Sequence, residues 1–329
     1  MVEVHHILCP RCGRRRERLP FLAGQGHRTL RFEAAVARDC ESAPVRRIAA
    51  QGGLPAETVR QIDQRALQRW AAGRPRKPLR YLGVDEIYLG KQAKFLTVVS
   101  HRETREPLWA GKDRKRETLD RFFAEVLPPR RRRSVQAVCV DMWEPFAQSL
   151  QAPLPHARLI YDKFHVLQHA NAAVAETRRA AFFRKGGRLR GKRWLLLTRW
   201  HRLEREERQT LQALFAVNRR LAKAYQLREQ LEQLWTYTYE GAARRFLTTW
   251  IGALRGQRLP AFQQFAGLLQ RRLNGILASC HEKAPFGMVE AINGNIRAVI
   301  RRSRGYRDHE YLLLKVQKFT AEGRRLRAA

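Results

Sequence analysis

The chain has 329 residues, 44% of them hydrophobic, with 65 Lys+Arg against 30 Asp+Glu and a formal net charge of +35. That length supports a sizeable core and roughly two or three domains. A charge so far from zero repels itself unless a polyanion neutralises it, which points to nucleic acid, whose phosphates release counterions on binding. No apolar run approaches the ~20 residues of a spanning helix, and no signal peptide opens the sequence, so a membrane protein is not expected. The scattered cysteines, Cys9, Cys12, Cys40, Cys139 and Cys280, fit a reducing cytosol.

Taken in order, residues 1–28 open with His5-His6-Ile7-Leu8-Cys9-Pro10-Arg11-Cys12-Gly13. Cys-x-x-Cys-Gly spacing lets two thiolates point at one tetrahedral Zn²⁺. A structural zinc needs four ligands, and only His5 or His6, His27 and Cys40 are on hand to join Cys9 and Cys12, so the segment reads as a partial zinc ribbon. Residues 29–72 look helical. Phe32, Ala35 and Val36 fit one face of a first helix. A short helix at Val45, a Gly52-Gly53 turn and a second helix opened by Pro55 then make a helix-turn-helix pattern. Ile48, Ala49, Leu54, Val59 and Ile62 form its expected core, and Arg60, Gln61, Gln64 and Arg65 are expected to face a DNA major groove. Residues 73–79 are a basic, Pro-containing linker.

From residue 80 the pattern changes to short, β-branched and aromatic runs bounded by Gly, Pro or charge, the mark of buried strands. Tyr81–Tyr88 carries Asp85, Val135–Asp141 ends in Asp141, and Ala157–Asp162 ends in Asp162. Carboxylates gathered at strand ends suit a hard cation, which takes oxygen ligands. Phe95–Val99 and Pro107–Ala110 read as two further strands, and Thr118–Val126 as a helix. Three strands in hairpin succession, followed by helix, strand, helix and strand, is the order of an RNase H-like mixed α/β sheet. Residues 80–166 make its first part. Glu86 is expected on the opposite face of the strand from Asp85, and it and Glu144 are not read as ligands.

Residues 167–284 read as a long α-helical insertion, periodic over Val166–Phe183, Glu206–Leu234 and Phe262–Leu277, with aromatics that mostly serve its core. The core returns at 285–320. Glu290, Asn293 and Arg297 share a helix there, and Val289, Ile292, Ile296 and Val299 face inward. Arg297, Arg301, Arg302, Arg304 and Arg307 are expected to bind phosphates, and 321–329 is a basic tail.

Gly83-Val84-Asp85-Glu86-Ile87, Val140-Asp141-Met142, Asp162-Lys163-Phe164-His165-Val166, Val289-Glu290-Ala291-Ile292-Asn293 and Arg302-Ser303-Arg304-Gly305-Tyr306-Arg307 occur in the order found in the DDE transposases of the IS-L-three insertion-sequence family. The chain resembles that family over about residues 5 to 320. The resemblance implies an enzyme of phosphoryl transfer on DNA that binds insertion-sequence ends, cleaves them and joins them to target DNA. It places the catalytic, metal-holding triad on Asp85, Asp141 and Glu290, with two Mg²⁺ or Mn²⁺ ions. Asp162, His165 and Asn293 would lie behind the ligands and orient them. Double-stranded DNA is the implied partner, a homo-oligomer the expected state, and the nucleoid the expected place. The family's ribbon has two Cys-x-x-Cys pairs where this sequence shows one, so the chain is expected to begin near the second. Asn293-Gly294-Asn295 stands where Asn-Asn-Lys is more usual. The competing readings are a catalytically decayed DNA-binding regulator and an RNase H-like structure-selective nuclease.

Overall fold

The computed structural model describes residues 5–16, 20–22, 28–75, 77–90, 94–185, 191–280, 289–303, 305–306 and 308–328. They group into two compact units, one built from residues 1–77 and 294–329 and the other from 78–293.

In the first unit, β1 (His6–Cys9) and β2 (Gly13–Arg16) form an antiparallel hairpin. Three helices follow: α1 (Leu30–Ser42), α2 (Val45–Gln51) and α3 (Ala56–Ala72). Thr29 caps α1 by accepting from Phe32 N–H, while Pro44 and Pro55 stand at the N-caps of α2 and α3. Val36, Cys40, Ile48, Ala49, Val59 and Ile62 are the buried cluster, with Leu54 packed against it. The face expected on α1 is corrected: Phe32 and Ala35 are exposed, and the buried stripe is Glu33, Val36 and Cys40. Positions three and four apart share a helix face, and Phe32 lies about 100° around from Glu33.

The second unit holds a five-stranded sheet in the order β5-β4-β3-β6-β7. Its strands are β3 (Tyr81–Gly90), β4 (Lys94–His101), β5 (Glu106–Lys112), β6 (Ala137–Val140) and β7 (Arg158–Tyr161). β3, β4 and β5 pair antiparallel, whereas β6 and β7 add in parallel, as crossovers through helices require. Those crossovers are α4 (Arg116–Glu125) with the short α5 (Pro129–Arg132), and α6 (Glu144–Gln151). Leu82, Val84, Val138, Val140, Phe122 and Phe146 are buried in one core with the helices.

α7 (Lys163–Lys185) leads into α8 (Arg193–Leu197), α9 (Arg205–Val217), α10 (Arg219–Leu231), α11 (Glu240–Gly252), α12 (Pro260–Arg271) and α13 (Leu273–Leu277). The single helical run expected over Glu206–Leu234 is broken at Asn218. Its backbone leaves the helical region (φ −140°, ψ 79°), and its side chain accepts from Leu221 N–H to cap α10. Trp194 and Tyr239 are exposed, while Tyr225 and Trp250 belong to the core. α14 (Val289–Ser303) and α15 (His309–Ala328) close the chain. α14 belongs to the second unit through Asn293 and to the first from Gly294 on.

Within the first unit, α15 packs on α3 around a buried ion pair. Lys315 Nζ lies 2.8 Å from Asp63 Oδ2 and donates to Cys40 O at 2.6 Å, and the Tyr311 hydroxyl donates to the same Asp63 oxygen. Among the described residues no helix is long and apolar enough to cross a membrane.

Candidate active site

Strand register builds the site. Gly83 pairs with Cys139 and Val140 with Tyr161. Continuing the same parallel registers brings Asp85, Asp141 and Asp162 side by side across β3, β6 and β7, at the carboxyl ends of β6 and β7. Each of the three is about nine-tenths buried or more. β6 and β7 stop where each aspartate turns back on its own chain: Asp141 Oδ1 accepts from Trp143 N–H, and Asp162 Oδ1 from Phe164 N–H at the start of α7. Asn293, in the first turns of α14, donates its amide Nδ2–H to Asp85 Oδ2 at 2.5 Å. His165, one turn into α7, places Nε2 3.3 Å from Asp85 Oδ1.

Burial pushes the carboxyls of Asp141 and Asp162 above the usual range, against the backbone N–H of Trp143 and the charge of Arg114 in the one case, and the N–H of Phe164 and the charge of Arg102 in the other. For His165, burial works against the charge. The hydrogen bond to Asp85 and the fields of Asp85, Asp141 and Asp162 outweigh it, and its pKa rises to about 9.

Two residues at the site, Arg114 and Arg102, carry no sequence signal of their own, and a third, Glu86, is not read as part of it from the sequence. Arg114 donates Nη2–H to Asp141 Oδ2 at 2.8 Å and sets Nε 2.9 Å from Glu86 Oε1. Glu86, expected on the opposite face of β3 from Asp85, is thus tied to Asp141 through one guanidinium. β6 ends at Val140, so beyond Asp85 the edge of β3 has no strand neighbour on that side. Burial and the nearby Asp141 raise the Glu86 carboxyl to about 7, against the pull of Arg114. Arg102 is fully buried against Gly83, where any Cβ would come within 2.7 Å of its Cδ. Glu144 pairs instead with Arg272, as expected of a residue outside the site.

The donor set is all oxygen, which suits a hard divalent cation. Two of its oxygens, Glu86 Oε2 and Asn293 Oδ1, are buried without a hydrogen-bond partner. Among the described residues no three His, Cys, Asp or Glu side chains converge to hold an ion. The side chain of Glu290 lies outside the described residues. Its backbone occupies the first turn of α14, three residues before Asn293. By type, the oxygens of Asp85, Asp141 and Asn293 are those a hard cation takes.

The expected DNA-facing residues are in the first unit. Arg60 pairs with Glu57 and Asp308 and donates to Gln64, Gln61 donates to Glu57, and Arg65 pairs with the buried Glu33. Arg297 and Arg301 are exposed, Arg302 Nη1 donates to Glu41 O at 2.6 Å, and Arg304 and Arg307 lie outside the described residues. At the N-terminus, the Cys12 thiol beside Cys9 lowers the Cys9 pKa. Cys40 is buried in the α1–α3 core, and His27 lies outside the described residues.

A mixed sheet that carries three neighbouring aspartates, in so basic a chain, fits the class to which the sequence is matched. Residues 82–316 match the family described as Transposase. The chain belongs to the IS-L3 family of DDE transposases. It is 33% identical over 319 residues to the transposase for insertion sequence element IS1001 of Bordetella parapertussis, covering 94% of this chain and 78% of that protein. It is also 25% identical over 262 residues to the transposase for insertion sequence element IS1557 of Mycobacterium tuberculosis, in strains CDC 1551 and H37Rv, covering 71% of this chain and 59% of those proteins.

Proposed function

We propose that the chain is a DNA transposase that binds insertion-sequence ends and catalyses their cleavage and strand transfer, with Asp85, Asp141 and Glu290 as the metal-holding carboxylates. The observation that carries this reading is the register of Asp85 with Asp141 across β3 and β6, with Asn293 of the Glu290 helix bonded to Asp85. The sheet order β5-β4-β3-β6-β7 supports reading the second unit as an RNase H-like core with a helical insertion before Glu290. Asp85, Asp141 and Glu290 would hold two Mg²⁺ or Mn²⁺ ions, which would supply activation of the attacking water or 3′-hydroxyl and stabilisation of the leaving 3′-oxygen. The chain's own residues prepare the site. Asn293 and His165 hold Asp85 in one orientation, the Trp143 N–H holds one oxygen of Asp141, and Asp162 and Arg102 set the charge behind them. α2 and α3 are read as a helix-turn-helix whose Arg60, Gln61 and Arg65 must exchange their acidic partners for DNA. Arg297, Arg301, Arg302, Arg304 and Arg307 would contact phosphates. Cys9 and Cys12 are read as half of a zinc ribbon, and joining two ends implies a homo-oligomer.

The test is cleavage and strand transfer on a labelled duplex bearing the element's terminal repeat, with Mg²⁺, comparing wild type with Asp141→Ala. Metal-dependent product that disappears in the variant supports the reading. Binding without product from wild-type protein supports a regulator instead, and equal product from both proteins removes Asp141 from the site.

A further inference from the structure

Arg114 is placed with care. It follows Asp113, whose backbone is left-handed (φ 77°), a conformation that non-glycine residues rarely adopt and that marks functional positions when its surroundings enforce it. Both sides of Asp113 are pinned: its N–H donates to Phe95 O at 2.9 Å, and its carbonyl accepts from Thr97 Oγ1 at 2.7 Å. The chain thereby leaves β5 with the Arg114 side chain on three partners. Those are Asp141 at 2.8 Å, Glu86 at 2.9 Å, and the ring of Trp143, whose centroid lies 4.6 Å from Cζ.

A cation arriving at Asp141 Oδ2 competes with the guanidinium that donates to that same oxygen, because the two carry like charge. Arg114 nevertheless has somewhere to go. Glu86 Oε2 is buried and has no hydrogen-bond partner, so a guanidinium released from Asp141 can pair with both Glu86 oxygens in the fork geometry that arginine favours. The ring of Trp143 offers a face along which it can turn. A forked pairing uses only part of the guanidinium's five N–H donors. The remainder would lie beside the carboxylates, where a phosphate of the substrate strand must come.

We propose that Arg114 is a resident counter-ion of the metal-free site that yields Asp141 to the arriving divalent ion, swings onto Glu86, and there binds the scissile phosphate. Glu86 is its positioning residue. This inference rests on the reading of Asp85 and Asp141 as metal-holding carboxylates.

The test titrates Mn²⁺ calorimetrically into full-length wild type, R114Q, R114K, E86Q/R114Q and D141N, and measures cleavage of the terminal-repeat duplex at saturating Mn²⁺. R114Q should bind Mn²⁺ more tightly, by about threefold or more, because a competing charge is gone. It should still lose about 100-fold or more in cleavage, the scale of one lost charge-stabilising donor. R114K, which keeps charge without the fork, should recover part of that loss, and serves alone if R114Q does not fold. E86Q/R114Q should match R114Q in Mn²⁺ affinity within about threefold, whereas a weakening of about tenfold or more would make Glu86 a ligand and overturn its positioning role. Tighter Mn²⁺ with full cleavage in R114Q, or unchanged Mn²⁺ affinity, overturns the role of Arg114. If D141N binds Mn²⁺ like wild type, the underlying metal reading fails. If D141N loses Mn²⁺ while R114Q gains nothing, only this inference fails.

Discussion

Asn293 and Asp85 lie 208 residues apart in sequence and meet in one hydrogen bond, amide Nδ2–H to carboxylate Oδ2 at 2.5 Å. It ties the start of the Glu290 helix to the middle of β3. Asn293→Leu should cost about 1.5–3 kcal/mol, the range for a buried hydrogen bond to a charged group, read from the denaturation midpoint. Mn²⁺ affinity should fall about 10–100-fold, as it does when a ligand loses its support. Asn293→Asp should also destabilise, because it removes the amide N–H that Asp85 accepts. Unchanged Mn²⁺ affinity in both variants would remove Asn293 from the site.

His165 should carry its charge at neutral pH in the metal-free protein, because Asp85 and its neighbours raise its pKa to about 9 from the ordinary imidazole value of 6.5. The folded value lies above the unfolded one, so the stabilisation is complete below about pH 6.5 and is lost as pH rises through about 9. The stability difference between wild type and His165→Gln should therefore be largest near pH 6 and shrink by pH 9.5. Proton NMR should place the imidazole titration near 9, and Asp85→Asn should return it toward the ordinary value. A wild-type titration near 6.5 would contradict the geometry.

The Asp63–Lys315 pair joins α3 to α15 with both side chains almost wholly buried. Asp63→Ala leaves the Lys315 ammonium without its carboxylate and should cost about 3–5 kcal/mol. Asp63→Leu combined with Lys315→Met removes both charges and should cost less than either change alone. Additive losses in chemical denaturation would refute the coupling.

Thiol chemistry should sort the cysteines. Cys12 is exposed and Cys9 has a lowered pKa, whereas burial raises Cys40 to about 12 and also raises Cys139. At pH 8 an alkylating reagent should modify Cys9 and Cys12 and spare Cys40 and Cys139. Zn²⁺ should slow that modification if the pair holds metal, and an unchanged rate at saturating Zn²⁺ would end the zinc reading.

Gly83 stands two residues before Asp85, and a Cβ there would lie 2.7 Å from Arg102 Cδ and 2.9 Å from Ser100 Oγ. Gly83→Ala should cost about 1–3 kcal/mol as an overpacked core, with lowered thermal stability as the readout. A neutral substitution would mean that Arg102 moves freely.

Much of the site could be read from local pattern. Apolar, β-branched runs marked the strands that carry or precede Asp85, Asp141 and Asp162, and Pro and Gly marked the ends of α2 and α3. Register could not be read that way. Nothing near Arg114 indicates that it meets Asp141, 27 residues on, because it reaches there through the left-handed Asp113 at the end of β5. The partner of Glu86 is hidden for the same reason: strand alternation gives its face, but only the early end of β6 opens the edge around which it meets Arg114. Arg60 and Arg65 read as groove-facing residues; Glu57, one partner of Arg60, is local, but its second partner Asp308 and the partner of Arg65, Glu33, lie far away in sequence.

By itself the sequence determined the elements, their order, the charge that demands a polyanion, and the family, because each is written in short-range periodicity, composition or motif. Tertiary structure alone decided which charges neutralise one another: Arg114 between Glu86 and Asp141, Asn293 and His165 on Asp85, Lys315 on Asp63. Burial raises the cost of every unpaired charge, so these pairings follow from which side chains the packed chain brings within about 3 Å, and no local pattern contains that distance.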